Sequence, residues 1–172
     1  ETTKQLVADI REPLAPVPGR EARRDYEYKR KGVRNLFMFF EPLRGWRHVK
    51  VTQRRTTIDW AICMRQLVDE FYPHAEKVRV VMDNLSTHSL AGLYQAFHPQ
   101  EAKRLLRRLE LHSTPKHGSW LNMAETEFSA LARQCLGQRI PDQITLQHEV
   151  SAWQESRNNN CSKVNWRFTT DD

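Results

Sequence analysis

What this chain has little of narrows the field first. Its three cysteines, Cys63, Cys135 and Cys161, are odd in number, far apart and never in a CxxC pair. That excludes a disulfide framework and a cysteine zinc site. Cys63 and Cys135 fall within helical patterns, where packed thiols in a reducing compartment are expected. No stretch approaches the roughly 18 apolar residues of a membrane helix. The opening Glu1-Thr2-Thr3-Lys4 has neither the basic head nor the apolar run of a signal peptide. Internal repeats and low-complexity linkers are also missing. With 172 residues, 39% apolar and 28% charged, the chain is expected to be one soluble, globular domain, residues 1–172, rather than a disordered segment.

Charge is what the chain has in excess, and it is unevenly spread. The net charge is +6; residues 1–60 hold 14 Lys/Arg against 8 Asp/Glu, while residues 61–172 hold 13 of each. A basic first third suits a polyanion, although a solvated surface gives the same composition. Within it, Pro13, Pro16, Pro18 and Gly19 mark a loop, followed by Arg20, Arg23, Arg24, Lys29, Arg30 and Lys31 interleaved with Tyr26 and Tyr28. Cations and aromatics in an extended loop make a plausible phosphate-contacting surface, with no motif in their spacing.

The hydrophobic period sets the elements. Glu1–Ala8 reads as the end of a strand. Val33–Phe40 and Trp46–Val51 read as two strands joined by a turn over Glu41-Pro42-Leu43-Arg44-Gly45. A helix is predicted over Thr57–Tyr72 and stopped by Pro73. Val78–Met82 is a short, β-branched run apolar on both faces, as in a covered parallel sheet, and it is expected to lie parallel to an earlier strand. Ser86 or Thr87 is predicted to cap a helix reaching Phe97, and Gln100–Leu109 is a basic helix. Leu109–Ser113 is a strand, and Leu121–Leu136 is a helix ended by Gly137. A further helix starts at Pro141-Asp142 and ends at Asn158-Asn159-Asn160, and Val164–Phe168 is a short extended tail. The fold class is α/β, a hairpin feeding a parallel portion.

Two carboxylates stand out against this frame. Asp83 closes the central strand, where α/β sheets put their chemistry, although Asp-Asn also opens turns. Glu125 falls on the arc of Leu121, Ala124, Phe128, Leu131, Ala132, Cys135 and Leu136. An acid on an apolar stripe asks for a positive partner. Asn122-x-x-Glu125 also matches a capping box. An acid from a strand end beside one from a helix start suits Mg²⁺, which takes hard oxygens and keeps waters or phosphates in its remaining positions. Two such ions support in-line attack on a phosphodiester, and that arrangement asks for a third carboxylate.

Val81-Met82-Asp83-Asn84-Leu85-Ser86-Thr87-His88, followed by Thr114-Pro115-Lys116-His117-Gly118-Ser119-Trp120-Leu121-Asn122-Met123-Ala124-Glu125, resembles the catalytic core of DDE transposases. The match is to the bacterial insertion-sequence group allied to the Tc/mariner superfamily, and it extends to the Pro-Gly-Arg and Asp-Tyr-x-Tyr-Lys-Arg-x-Gly stretch near residues 18–32. The resemblance implies an RNase H-like mixed sheet of five strands flanked by helices, with Asp83 as the second acid and Glu125 as the third. It implies two Mg²⁺ ions, DNA as partner (element ends and target), a bacterial cytoplasmic setting and a homodimer in the intact family. The reaction it implies is hydrolysis of DNA at the element ends, then attack of the freed 3′-hydroxyl on target DNA. The family's first acid is expected immediately before Glu1, so most of the first strand is expected to be missing and Glu1 is a site neighbour at best. Asp9 is a poor substitute. The chain is accordingly expected to be a fragment, truncated at the N-terminus and also at the C-terminus, and inactive alone.

His88 either approaches the site or is an ordinary histidine near a helix start. Asn122 reads as a cap and possible site neighbour, and Lys116 and His117 as loop cations able to touch phosphate. Arg104, Arg107 and Arg108 read as a solvated face. Two other functions fit the same residues: a non-catalytic nucleic-acid-binding module, and an RNase H-like nuclease acting on RNA or hybrid duplex.

Overall fold

The computed structural model describes residues 1–115, 118 and 121–165. Its described elements are five strands and five α-helices in an α/β order consistent with an RNase H-like fold. They divide into two compact units, Glu1–Val51 with the chain from Glu127 onward, and Thr52–Thr126.

The first unit is built on β1 (Thr2–Asp9), β2 (Tyr28–Glu41) and β3 (Trp46–Thr52), hydrogen-bonded in that order. Most of the first strand was expected to be missing, but β1 is eight residues long and pairs antiparallel with β2 from Thr2↔Leu36 to Asp9↔Tyr28. The β2–β3 turn depends on Gly45. Its φ is +73° and a Cβ there would lie 2.7 Å from the Cys161 carbonyl, so glycine is needed on both counts. Strand period two puts Leu36 and Met38, and Val49 and Val51, on one face. That face packs with Leu6 against Leu131 of α4 (Met123–Gln134), Cys135 and Leu136 just after it, and Leu146, Val150 and Trp153 of α5 (Gln143–Asn159). Asp142 caps α5, accepting from Thr145 N at 2.8 Å, as its sequence position predicts.

The second unit holds α1 (Thr57–Gln66), β4 (Val78–Met82), α2 (Leu90–Ala96), α3 (Pro99–Arg108) and β5 (Leu109–Ser113). Thr56 and Asp59 close a reciprocal capping box at the start of α1. The helix predicted to reach Tyr72 changes at Leu67 into a π-helical turn, Leu67–Phe71. β4 runs parallel to the later strand β5, Val78↔Leu109 to Met82↔Ser113, where an earlier partner was expected. Its two-sided burial is also corrected: Val78 is buried, but Arg79 is exposed and Val81 is 59% exposed. The α2 cap is Ser89, not Ser86 or Thr87, because residues 85–88 are taken up by a turn closed by His88 N to Leu85 O. The basic face of α3 is partly structural. Arg104 forks onto Asp69 and Glu101, and Arg108 donates to the carbonyls of Tyr72 and Ala75. Cys63 and Cys135 are buried thiols, as expected.

Candidate active site

The parallel pair β4–β5 ends on one edge, where Thr114 N donates to Met82 O at 3.0 Å. Asp83 leaves β4 at that edge and is half-buried. After β5, Gly118 N donates to Pro115 O at 2.9 Å and Leu121 N to Gly118 O at 3.0 Å, and Asn122 stands at the start of α4. Asn122 is buried and does two things. Its Oδ1 accepts from Ala124 N at 3.1 Å, capping the helix, and its Nδ2 donates to Asp83 Oδ1. The cap read from sequence is therefore also the link between the two motifs. Glu125 lies in the first turn of α4, where the amide dipoles favour an anion.

His88 sits beside the same loop. Its Nδ1 lies 3.0 Å from the backbone oxygen of Asp83 and its ring stacks on Trp60 at 5.9 Å, so it meets the main chain of Asp83. Glu1 belongs to the other unit. Lys116 and His117 lie outside the described residues, as does the end of the expected tail, Trp166–Phe168.

One expectation is overturned. Glu125 is exposed, and the acid on the buried stripe of α4 is Glu127, 2% exposed. At about 100° per residue, Ala124, Phe128, Leu131 and Cys135 centre the stripe, with Glu125 on one flank and Glu127 on the other. Glu127 is buried because it is paired: Oε1 lies 2.9 Å from Arg47 Nε and 2.7 Å from Arg157 Nε, and Oε2 lies 3.2 Å from Arg157 Nη2. Arg47 is itself 0% exposed, and its other donors go to Asn158 Oδ1 and the Ser162 carbonyl. Burial pushes the Arg47 guanidinium below its ordinary range, and Glu127 opposes that shift. A signal for this pairing was available. Arg47 is in phase with Val49 and Val51 along β3, and Glu127 is four residues before Leu131.

Among the described residues, no group of three or more His, Cys, Asp or Glu could hold a metal ion. What the site offers a hard cation is two carboxylates, Asp83 and Glu125. Among the described residues, Asp83 Oδ2 has no protein hydrogen-bond partner. That donor set fits Mg²⁺, which commonly binds through one or two carboxylates and completes its shell with water or substrate phosphate. No helix among the described residues is long and apolar enough to cross a membrane.

No curated protein and no solved structure matches the chain. A family model does, described as DDE superfamily endonuclease and covering residues 1–147. With that match over most of its length, the chain belongs to the DDE superfamily of transposases and endonucleases.

Proposed function

We propose that this chain is the RNase H-like catalytic domain, residues 1–172, of an insertion-sequence transposase that acts on DNA in the bacterial cytoplasm. In this reading Asp83 and Glu125 hold the divalent metal that DDE endonucleases generally use, and the reaction is phosphodiester hydrolysis followed by strand transfer. The observation that carries it is the Asn122 side chain, which ties Asp83 to the first turn of the helix bearing Glu125.

The residues have distinct work. Asn122 donates to one oxygen of Asp83, fixing the carboxylate while leaving its charge in place. The exposed Glu125 reaches solvent and substrate from a helix start that favours its ionised form. A bound Mg²⁺ supplies Lewis-acid stabilisation at phosphorus and lowers the pKa of a bound water. Asp83 and Glu125 would hold it, while the His88 ring, set against the backbone oxygen of Asp83, keeps the Asp83 loop in place.

The test is a titration with Mn²⁺ followed by electron paramagnetic resonance, using the full chain. Asp83→Asn and Glu125→Gln are each expected to weaken binding at least about tenfold, the loss of one charged oxygen ligand. Binding unchanged in both variants refutes the reading. The exposed cations Arg20, Arg23, Lys29, Arg30 and Lys31 favour a second one, a nucleic-acid-binding module. It is marked by salt-sensitive DNA binding that Asp83→Ala leaves intact while Mn²⁺ does not bind.

A further inference from the structure

The segment between β1 and β2 is a second hairpin in its own right. Leu14 and Arg23 exchange backbone hydrogen bonds of 2.9 and 3.1 Å, and Val17 and Arg20 exchange bonds of 3.1 and 2.8 Å. The tip is Pro18-Gly19, with Gly19 at φ +80° and open space within 4 Å of where its Cβ would be. That is turn chemistry: proline fixes the first corner and glycine takes the left-handed second. Residues directly opposed in an antiparallel pair project to the same side. Each rung therefore sets an apolar side chain beside a guanidinium, Leu14 with Arg23 and Val17 with Arg20.

The base of this arm is where its acids are spent. Arg139 pairs with Asp9 at 2.6 Å, donates to the carbonyls of Glu27 and Tyr26, and stacks over Tyr28. Arg24 also faces Asp9, and Arg11 faces Asp25, both at 3.4 Å. Glu12, Glu21 and Glu27 are the arm's remaining acids, and residues 10–31 carry seven Lys/Arg against four Asp/Glu. Meanwhile Leu14 is 66% exposed, Val17 54% and Tyr26 85%. Apolar surface of that kind is costly to leave in water without a partner. A partner able to enclose a narrow ribbon that carries an apolar and a cationic side chain on each rung is the minor groove of duplex DNA. There arginines meet the negative potential and small apolar side chains or proline press between the sugar walls and base steps.

We infer that the Leu14–Arg23 hairpin is a minor-groove arm, with Arg20 and Arg23 meeting the groove and Leu14, Val17 and Pro18 forming the wedge. This deepens the proposed function, since it rests on DNA being the partner.

The experiment measures binding of the full chain to a short duplex over a salt series, with end-to-end fluorescence transfer reporting DNA bending. Arg20→Gln with Arg23→Gln is expected to lower the log–log salt slope by about 2, near 0.9 for each phosphate charge released. Leu14→Ser with Val17→Ser is expected to keep the slope, weaken binding roughly tenfold and reduce the bend. All four positions are solvent-exposed, and circular dichroism confirms that the variants fold. If the wild type binds duplex and both double variants match it in slope, affinity and bend, the arm assignment is overturned and the DNA reading stands. If the wild type binds no duplex, both fall.

Discussion

Replacing Glu127 by alanine takes away an acid shared by two guanidiniums, one of them fully buried. Arg47, at 0% exposure, would keep Asn158 Oδ1 and the Ser162 carbonyl as acceptors, but no opposite charge, and Arg157 would still face it. Removing one partner of a buried ion pair costs about 3–5 kcal/mol, because the other charge stays desolvated. Against a total stability of about 5–15 kcal/mol for a domain, that is a large share. With a urea slope of about 2 kcal/mol per molar, the unfolding midpoint should fall by about 1.5–2.5 M. Glu125→Ala, two residues earlier on the same helix, removes an exposed acid and should cost below about 1 kcal/mol. Glu127→Gln keeps an acceptor and loses the charge, so it should lie between the two. Arg157→Ala leaves the Arg47–Glu127 contact and should cost less than Glu127→Ala. The reasoning is refuted if Glu127→Ala and Glu125→Ala unfold at the same urea concentration, since Glu127 is buried between two guanidiniums and Glu125 is exposed.

Three further outcomes follow from local geometry. Asn122→Ser retains a capping oxygen but not the reach to Asp83, so it should hold the unfolding free energy within about 0.5 kcal/mol of wild type while weakening Mn²⁺ binding in the resonance titration. Gly45→Ala meets both a left-handed φ and the Cys161 carbonyl, and should cost at least about 1–2 kcal/mol. A melting scan should show that as a drop of about 3–6 °C. The Asp142 carboxyl is held below its ordinary 3.8 by the Thr145 amide bond. Its contribution is therefore present above that pH and lost as pH falls through the lower folded value. Asp142→Asn keeps a cap without a titration, so its melting temperature should fall less steeply than wild type below about pH 4.

What was legible in the sequence is what local chemistry decides alone. β5 was read as Leu109–Ser113, and β3 differed by one residue, because short apolar runs between a helix and a turn leave little choice. The start of α5 was legible through Asp142, whose carboxylate needs only its own helix to act. The start of β2 was not, because Tyr28–Gly32 is exposed on both faces and so carries no burial pattern. Ser89 won the α2 cap over Ser86 and Thr87 through a turn that composition does not encode. In the site, the two motifs named Asp83, Asn122 and Glu125, but the hydrogen bond joining them depends on chain path and had no signature. The stripe of α4 was misread for a related reason. A helical wheel sets Glu125 and Glu127 on opposite sides of the apolar arc, and Glu127 is the buried one because Arg47 pairs with it in the first unit's core.

Glu127 and Asp83 then divide by what already holds them. Both Glu127 oxygens face guanidinium groups, so a divalent cation there would have to displace two fixed positive charges from a buried site. Asp83 is held by a neutral amide. An amide orients a carboxylate as well as an arginine does, yet leaves its whole negative charge for a third party. Had the residue at 122 been cationic, Asp83 would be an internal ion pair like Glu127, and its field would be spent before any metal or phosphate arrived. Asn122 is thus the choice that keeps Asp83 both ordered and anionic. Asn122→Lys tests that reasoning directly: the lysine should abolish Mn²⁺ binding outright, whereas Asn122→Ser only weakens it. Equal retention of Mn²⁺ by the two variants would mean that the charge of Asp83's partner does not matter.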